Sequence, residues 1–243
     1  MYEPRHYRHW VSDRDLVSFH VTVRETDLLI RAGRDLTDEA LAATRTCRAE
    51  LEAYISTHPE FAVSLEPVPV ERNAPMLVKD MADAARRAGV GPMAAVAGAI
   101  AERVGTELLA LTEEVIVENG GDIFVKTSKV RSIGVYAGES GLTGRVAFII
   151  QPEDTPLGIC TSSGTVGHSL SFGEADAVTV FSPSTTLADA AATSIANRVS
   201  SARDIAQALE YARSIAGLKG VAIIKDDKMG IQGDVTLADP AQR

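Results

Sequence analysis

Aromatic side chains are scarce in this chain of 243 residues, at 5% of the total. That scarcity argues against an aromatic-lined groove and for close packing of small residues. Cysteine is scarcer still: Cys47 and Cys160 stand far apart, and neither belongs to a Cys-x-x-Cys pair. Such usage fits buried thiols in a reducing compartment rather than a disulfide framework. Positive charge is also in deficit, with 24 Lys and Arg against 33 Asp and Glu and a net charge of −9. A general nucleic-acid binder needs a basic face for phosphates, so no nucleic-acid partner is expected. The locally basic start, Arg5-His6-Tyr7-Arg8-His9-Trp10, reads as a solvated arm. Long apolar runs are missing too. The small-residue stretch 90–101 holds about a dozen residues where a bilayer span needs roughly 20. No membrane partner is expected, and without an apolar signal core at the start the expected location is cytoplasmic.

What the chain does have is a substantial core, with 45% apolar residues. Neither an internal repeat nor a low-complexity linker interrupts it, so residues 1–243 read as a single α+β domain with antiparallel sheet and packed helices. Period-two alternation predicts a strand over 17–23, and 28–32 follows as a second strand after an acidic turn. Thr37-Asp38-Glu39 opens a helix to about Ser56, with its acidic residues in the first turn where the dipole favours them. The stretch 61–72 reads as an irregular connector or edge strand. Helices are expected over 76–88 and 93–111, separated by Gly89-Val90-Gly91-Pro92, with glycine ending one and proline opening the next. Strands are expected at 115–117, 123–125, 132–136, 146–151, 157–161 and 177–181, and a hairpin joins 221–224 to 230–232.

Chemistry-bearing residues concentrate in 161–197. Thr161-Ser162-Ser163-Gly164 and Gly167-His168 precede a strand and then a helix carrying Asp189 and Thr193. On a helix over 186–199, residues four apart share a face. The Asp189 carboxylate and Thr193 hydroxyl there suit a hard cation such as Mg²⁺. The alternative is structural: Thr186-Leu187-Ala188-Asp189 fits a capping box, with Asp189 reaching back to its own helix start. Two earlier segments share this ambiguity. The helix start at Gly91-Pro92-Met93-Ala94-Ala95 has little side-chain bulk and free N–H groups that suit an anion or close packing. Glu118-Asn119-Gly120-Gly121-Asp122 is either a phosphate-binding loop of backbone amides or a plain hairpin turn.

Taken in order, these pieces resemble the ApbE-like superfamily, which includes the Mg²⁺-dependent FAD:protein FMN transferases. Ala94-Ala95-Val96-Ala97 is similar to that family's Gly-Gly-Ile-Ala helix start. Asn119-Gly120-Gly121-Asp122 is similar to its Asn-Leu-Gly-Gly-Asp loop, and Thr161-Ser162-Ser163-Gly164 to its Thr-Ser-Gly. Gly167-His168 and the segment from Ala177 through Asp189 to Thr193 complete the series, which covers roughly residues 92–197. The resemblance is closest to an uncharacterised branch of bacteria and archaea. It implies antiparallel sheets backed by helices, of the T-fold type. It also implies a flavin or nucleotide cleft formed by Asn119, Gly120, Gly121, Thr161, Ser162, Ser163 and Gly164. A Mg²⁺ site would be built from Asp189, Thr193 and the Ala95 carbonyl, with His168 as the base acting on an acceptor hydroxyl. FAD or FMN is the implied cofactor, and relatives of this fold commonly form homo-oligomers.

The departures from the pattern are specific. Gly98 stands where the family has a lysine, Gly91-Pro92 replaces an acidic approach to the helix, and Ser171-Phe172 replaces Asp-Pro. These changes remove polar groups near the cofactor phosphates or the acceptor. They favour a divergent transferase or a non-catalytic flavin or nucleotide binder. A hydrolase using Cys160, Ser162 or Ser163 with His168 is the remaining class, and it lacks a Gly-x-Ser-x-Gly elbow.

Overall fold

The computed structural model describes residues 15–164 and 172–238. Its centre is an antiparallel sheet of eight strands. In chain order the strands are β1 (Val17–Val23), β2 (Thr26–Ala32), β3 (Val115–Asn119), β4 (Asp122–Lys126), β5 (Arg131–Gly134), β6 (Ala147–Ile150), β7 (Leu157–Ser162), β8 (Ala177–Ser182), β9 (Gly220–Lys225), β10 (Lys228–Gly233) and β11 (Thr236–Leu237). The large sheet runs β1-β2-β3-β4-β7-β8-β9-β10, and a small sheet runs β11-β6-β5. The helices are α1 (Thr37–Thr57), α2 (Glu60–Val63), α3 (Met76–Ala88), α4 (Val96–Leu108), α5 (Thr185–Ala196) and α6 (Ile205–Arg213).

The central strands read as nearly continuous apolar runs because both of their faces are covered. Val115, Val117, Phe124, Cys160, Val178, Val180, Val221 and Ile223 join the helices in one core. Their alternates Ile116, Ile123, Val125, Ile159, Phe181 and Ile224 pack with Phe148 and Ile150 of the small sheet in another. Phe148 meets Phe181 edge-on at 4.9 Å between ring centroids. Period-two geometry therefore decides which polar side chains at the strand ends share the helix side.

Several elements differ from the sequence expectation. The stretch read as a connector begins with one helical turn, α2. The helix expected over 93–111 begins as a 3₁₀ turn over Pro92–Ala95, becomes α-helical at Val96 and ends at Leu108. Strand β11 and helix α6 were not anticipated from the sequence. Yet α6 follows a capping box in which Ser201 and Asp204 satisfy each other's backbone amides, a pattern the sequence displays.

Candidate functional site

Helix α4 begins without a side-chain cap of its own, since Ala95 occupies the N-cap position. The missing cap comes from another helix. The Gly98 N–H donates to Oδ2 of Asp189 at 2.8 Å, and the Ala97 N–H also donates to that carboxylate. These are the amides an N-cap side chain ordinarily satisfies. The capping box expected within α5 is therefore not formed. Ser184 caps α5 by accepting from the Leu187 N–H at 3.2 Å, and Asp189 serves α4 instead.

The arrangement is reciprocal. Glu102 on α4 accepts from the Thr186 N–H at 2.8 Å, from the Thr186 hydroxyl at 2.7 Å and from the Ser184 hydroxyl at 3.2 Å. Each helix thus supplies the carboxylate that closes the other's first turn. Such closeness requires Gly98: a Cβ there would lie 2.5 Å from the Thr185 carbonyl oxygen and 2.7 Å from the Asp189 Cβ. The lysine of the family pattern has no room at this position.

The β3–β4 hairpin completes the site. Gly120 and Gly121 adopt positive φ values of 69° and 107°, which makes a two-residue turn between Asn119 and Asp122. The loop's amides are not all free for phosphate. Gly121 N–H donates to Oε1 of the buried Glu118 at 2.9 Å, and the Gly121 carbonyl accepts from the Thr161 N–H. Asn119 also ties the turn to helix α4. Its Nδ2 donates to the Ala97 carbonyl at 3.0 Å. The peptide linking Ala97 to Gly98 is therefore held on both sides, its oxygen by Asn119 and its N–H by Asp189.

Asp122, read in the sequence only as the end of the glycine turn, lies on the helix side of β4. It is 8% exposed, beside an Asp189 that is 9% exposed. Burial pushes the Asp122 carboxyl well above the usual carboxylate range, and the nearby Asp189 charge pushes it further. Burial also raises Asp189, to about 7, against the opposing pull of the Gly98 and Ala97 amides. The motif displayed the signal for Asp122: two residues before Phe124, it must share that residue's face.

The hydroxyl-rich segment divides between the two faces of the sheet. Cys160 is fully buried on the helix side, with Sγ donating to the Thr185 carbonyl at 3.4 Å. Burial, then the charge of Asp122, raises its thiol well above the ordinary range. That removes Cys160 as a nucleophile, because the thiolate is the reactive form. Thr161 faces the opposite side, where its hydroxyl bonds that of Thr179 at 3.0 Å. Ser162 returns to the helix side by alternation. Ser163 donates to the Ala175 carbonyl at 3.4 Å, and the Gly164 N–H donates to the same carbonyl at 2.8 Å. Ala95 is buried at the start of α4 and Thr193 is half-buried on α5. His168, Gly167 and Ser171 lie outside the described residues. Phe172, of the altered Asp-Pro position, is 62% exposed.

Among the described residues, no group of three or more His, Cys, Asp or Glu is placed to hold a metal ion. A donor set of one carboxylate, one hydroxyl and one backbone carbonyl is of another kind, all hard oxygen. No described Lys, Arg or His forms an ion pair with Asp122 or Asp189. Asp122 and Asp189 are therefore buried acids without a cation partner among the described residues.

Comparison with known proteins places these features among relatives. A family model described as AbpE bacteria matches residues 8–231. A UPF0280 protein of Methanocaldococcus jannaschii is 46% identical over 222 residues, covering 88% of this chain and 90% of its own. Another, from Methanospirillum hungatei, is 49% identical over 180 residues, 73% of each chain. Among solved structures, the flavin transferase ApbE of Vibrio cholerae matches with a TM-score of 0.56 at 16% identity, covering 89% of this chain and 96% of its own. The apo flavinyl transferase ApbE of Pseudomonas stutzeri matches with a TM-score of 0.53 at 14% identity, covering 93% and 96%. No helix of the described residues is long and apolar enough to cross a membrane.

Proposed function

Because this chain belongs to the AbpE family of bacterial proteins and shares the ApbE fold, we propose that it binds a flavin or adenine nucleotide with Mg²⁺ at the junction of α4, α5 and the β3–β4 turn. The observation that carries the reading is the buried pair Asp122 and Asp189, set against the uncapped start of α4. In this reading Asp189, Thr193 and the Ala95 carbonyl hold the metal. Bound there, Mg²⁺ would neutralise charge on a diphosphate. The chain's own residues do the rest. Asn119 fixes the Ala97–Gly98 peptide, so the start of α4 keeps its shape when a ligand arrives. Asp122 holds a proton beside Asp189 and limits the negative charge gathered there. His168 remains the base assigned by the resemblance.

Transfer of FMN is proposed to be poor. A lysine at position 98 is sterically barred by Thr185 and Asp189, and a missing charge-assisted contact to phosphate costs on the order of 10²-fold in rate. The test pairs calorimetric titration of FAD, with and without Mg²⁺, with mass spectrometry for released AMP when an acceptor protein is added. Mg²⁺-dependent FAD binding that Asp189→Asn abolishes, with little AMP, is the expected outcome. Turnover like that of an authentic transferase would refute the loss of transfer. Failure to bind any flavin or adenine nucleotide would remove the cleft reading itself.

A further inference from the structure

Helix α3 flanks a cavity that neither Asp122 nor Asp189 lines. Between α2 and α3 the chain runs as a strap, Pro67-Val68-Pro69-Val70, lying along the exposed side of α3. Strap and helix flank an open groove of about 560 Å³. Volumes of this size take a single small molecule. Val68, Val70 and Ala82 give it an apolar floor, and Val68 and Val70 pack on the main core beneath. Its rim carries Arg72, Lys79 and Arg86.

The charges at the rim do not cancel. Both acidic residues there are already engaged. Glu71 accepts from the Tyr54 hydroxyl at 2.9 Å and lies 3.1 Å from His58 Nε2. Asp83 pairs with Arg86 at 2.5 Å and with Arg87 at 3.7 Å. Arg72 and Lys79 pair with no carboxylate among the described residues. The Lys79 ammonium instead donates to the Arg72 carbonyl at 3.2 Å, which brings the two side chains' anchors together. In a chain of net charge −9, a rim of Arg72, Lys79 and Arg86 against Glu71 and Asp83, above an apolar floor, carries a local excess of positive charge.

We infer that this groove binds a small amphipathic organic anion: an apolar body on Val68, Val70 and Ala82, and a carboxylate, sulfonate or phosphate end on Arg72 and Lys79. Charge complementarity sets the anionic end, and the apolar floor sets the body. The inference stands apart from the flavin reading and survives its failure.

The test uses the full chain and 8-anilinonaphthalene-1-sulfonate, a fluorescent amphipathic anion. Saturable binding with one site per chain is expected, weakened by added salt. The double variant Arg72→Glu/Lys79→Glu should weaken it by about tenfold or more, as loss of charge-assisted contacts implies. Val70→Asp, which charges the floor, should weaken it similarly. The neutral analogue N-phenyl-1-naphthylamine should bind wild type less tightly and ignore the Arg72/Lys79 change. Arg72 is exposed and Lys79 is half-buried with a bond to the Arg72 carbonyl, so the single variant Arg72→Glu, which leaves that bond in place, should keep the parent's circular dichroism and thermal midpoint and still weaken binding. If Val70→Asp unfolds, Arg72→Glu alone decides. Absence of saturable binding, or binding that the Arg72/Lys79 variant leaves unchanged, would overturn the proposal.

Discussion

A methyl group on Gly98 would meet the Thr185 carbonyl oxygen at 2.5 Å and the Asp189 Cβ at 2.7 Å. Replacing an exposed helical glycine by alanine ordinarily stabilises by about 1 kcal/mol. Here the opposite sign is expected. Gly98→Ala should destabilise by about 2 kcal/mol as the α4–α5 contact is forced apart, read by urea unfolding. A stabilised variant would mean that the two helices are less closely locked than described. The carboxylate pair makes a second residue-level prediction. Burial raises both acids, so the folded chain keeps protons that the unfolded chain releases. In chelator, both contributions to stability fall as pH rises from about 4, where unfolded carboxylates titrate, that of Asp189 towards about 7. Asp122→Asn removes one of the two charges and should flatten that fall. Equal slopes of thermal midpoint against pH in parent and variant would refute the coupling.

Between elements, the reciprocal caps make a coupled unit of α4 and α5. Glu102→Ala removes the carboxylate that accepts from the Thr186 amide and should cost about 1–2 kcal/mol. Combined with Asp189→Asn it should cost less than the sum, with an interaction of about 1 kcal/mol. A double-mutant cycle by chemical denaturation measures this, and strict additivity would show that the two caps act alone. This pairing explains why part of the site could not be read in the sequence. Helix α3 and the central strands were legible from glycine and proline punctuation and from apolar runs. The order of the site motifs was legible too. The role of Asp189 was not: a local capping box and a cap for a distant helix start use the same residue, and the choice depends on an amide 91 residues away. The Asn119 contact was not legible for a similar reason, since nothing local shows that its amide turns to the Ala97 carbonyl.

At the scale of the whole molecule, the two sheets are tied at one end by Arg131. This side chain is 3% exposed, on the first residue of β5. It pairs with Glu114, just before β3, at 2.7 Å and also with Asp15. Burial opposes the charge on Glu114, but hydrogen bonds from Ser128, Arg131 and Thr127 outweigh it and hold the carboxyl at about 2. Its stabilisation is therefore present above the ordinary glutamate value and is lost as pH falls towards about 2. Arg131→Ala strands Glu114 and should destabilise by about 3–5 kcal/mol. Calorimetric unfolding near neutral pH tests this, and a change below about 1 kcal/mol would show that the pair adds little to the joint between the sheets.

The mutual closure of α4 and α5 also sets an order of events in synthesis. The first turn of α4 leaves the ribosome 91 residues ahead of the carboxylate that will seal it. The Glu102 carboxylate likewise waits 84 residues for the Thr186 amide it accepts from. A nascent chain released before α5 carries an α4 whose opening amides still exchange freely with water. Deuterium labelling of such a truncated chain should find Gly98 unprotected. In the finished protein, Gly98 and Thr186 should become protected together.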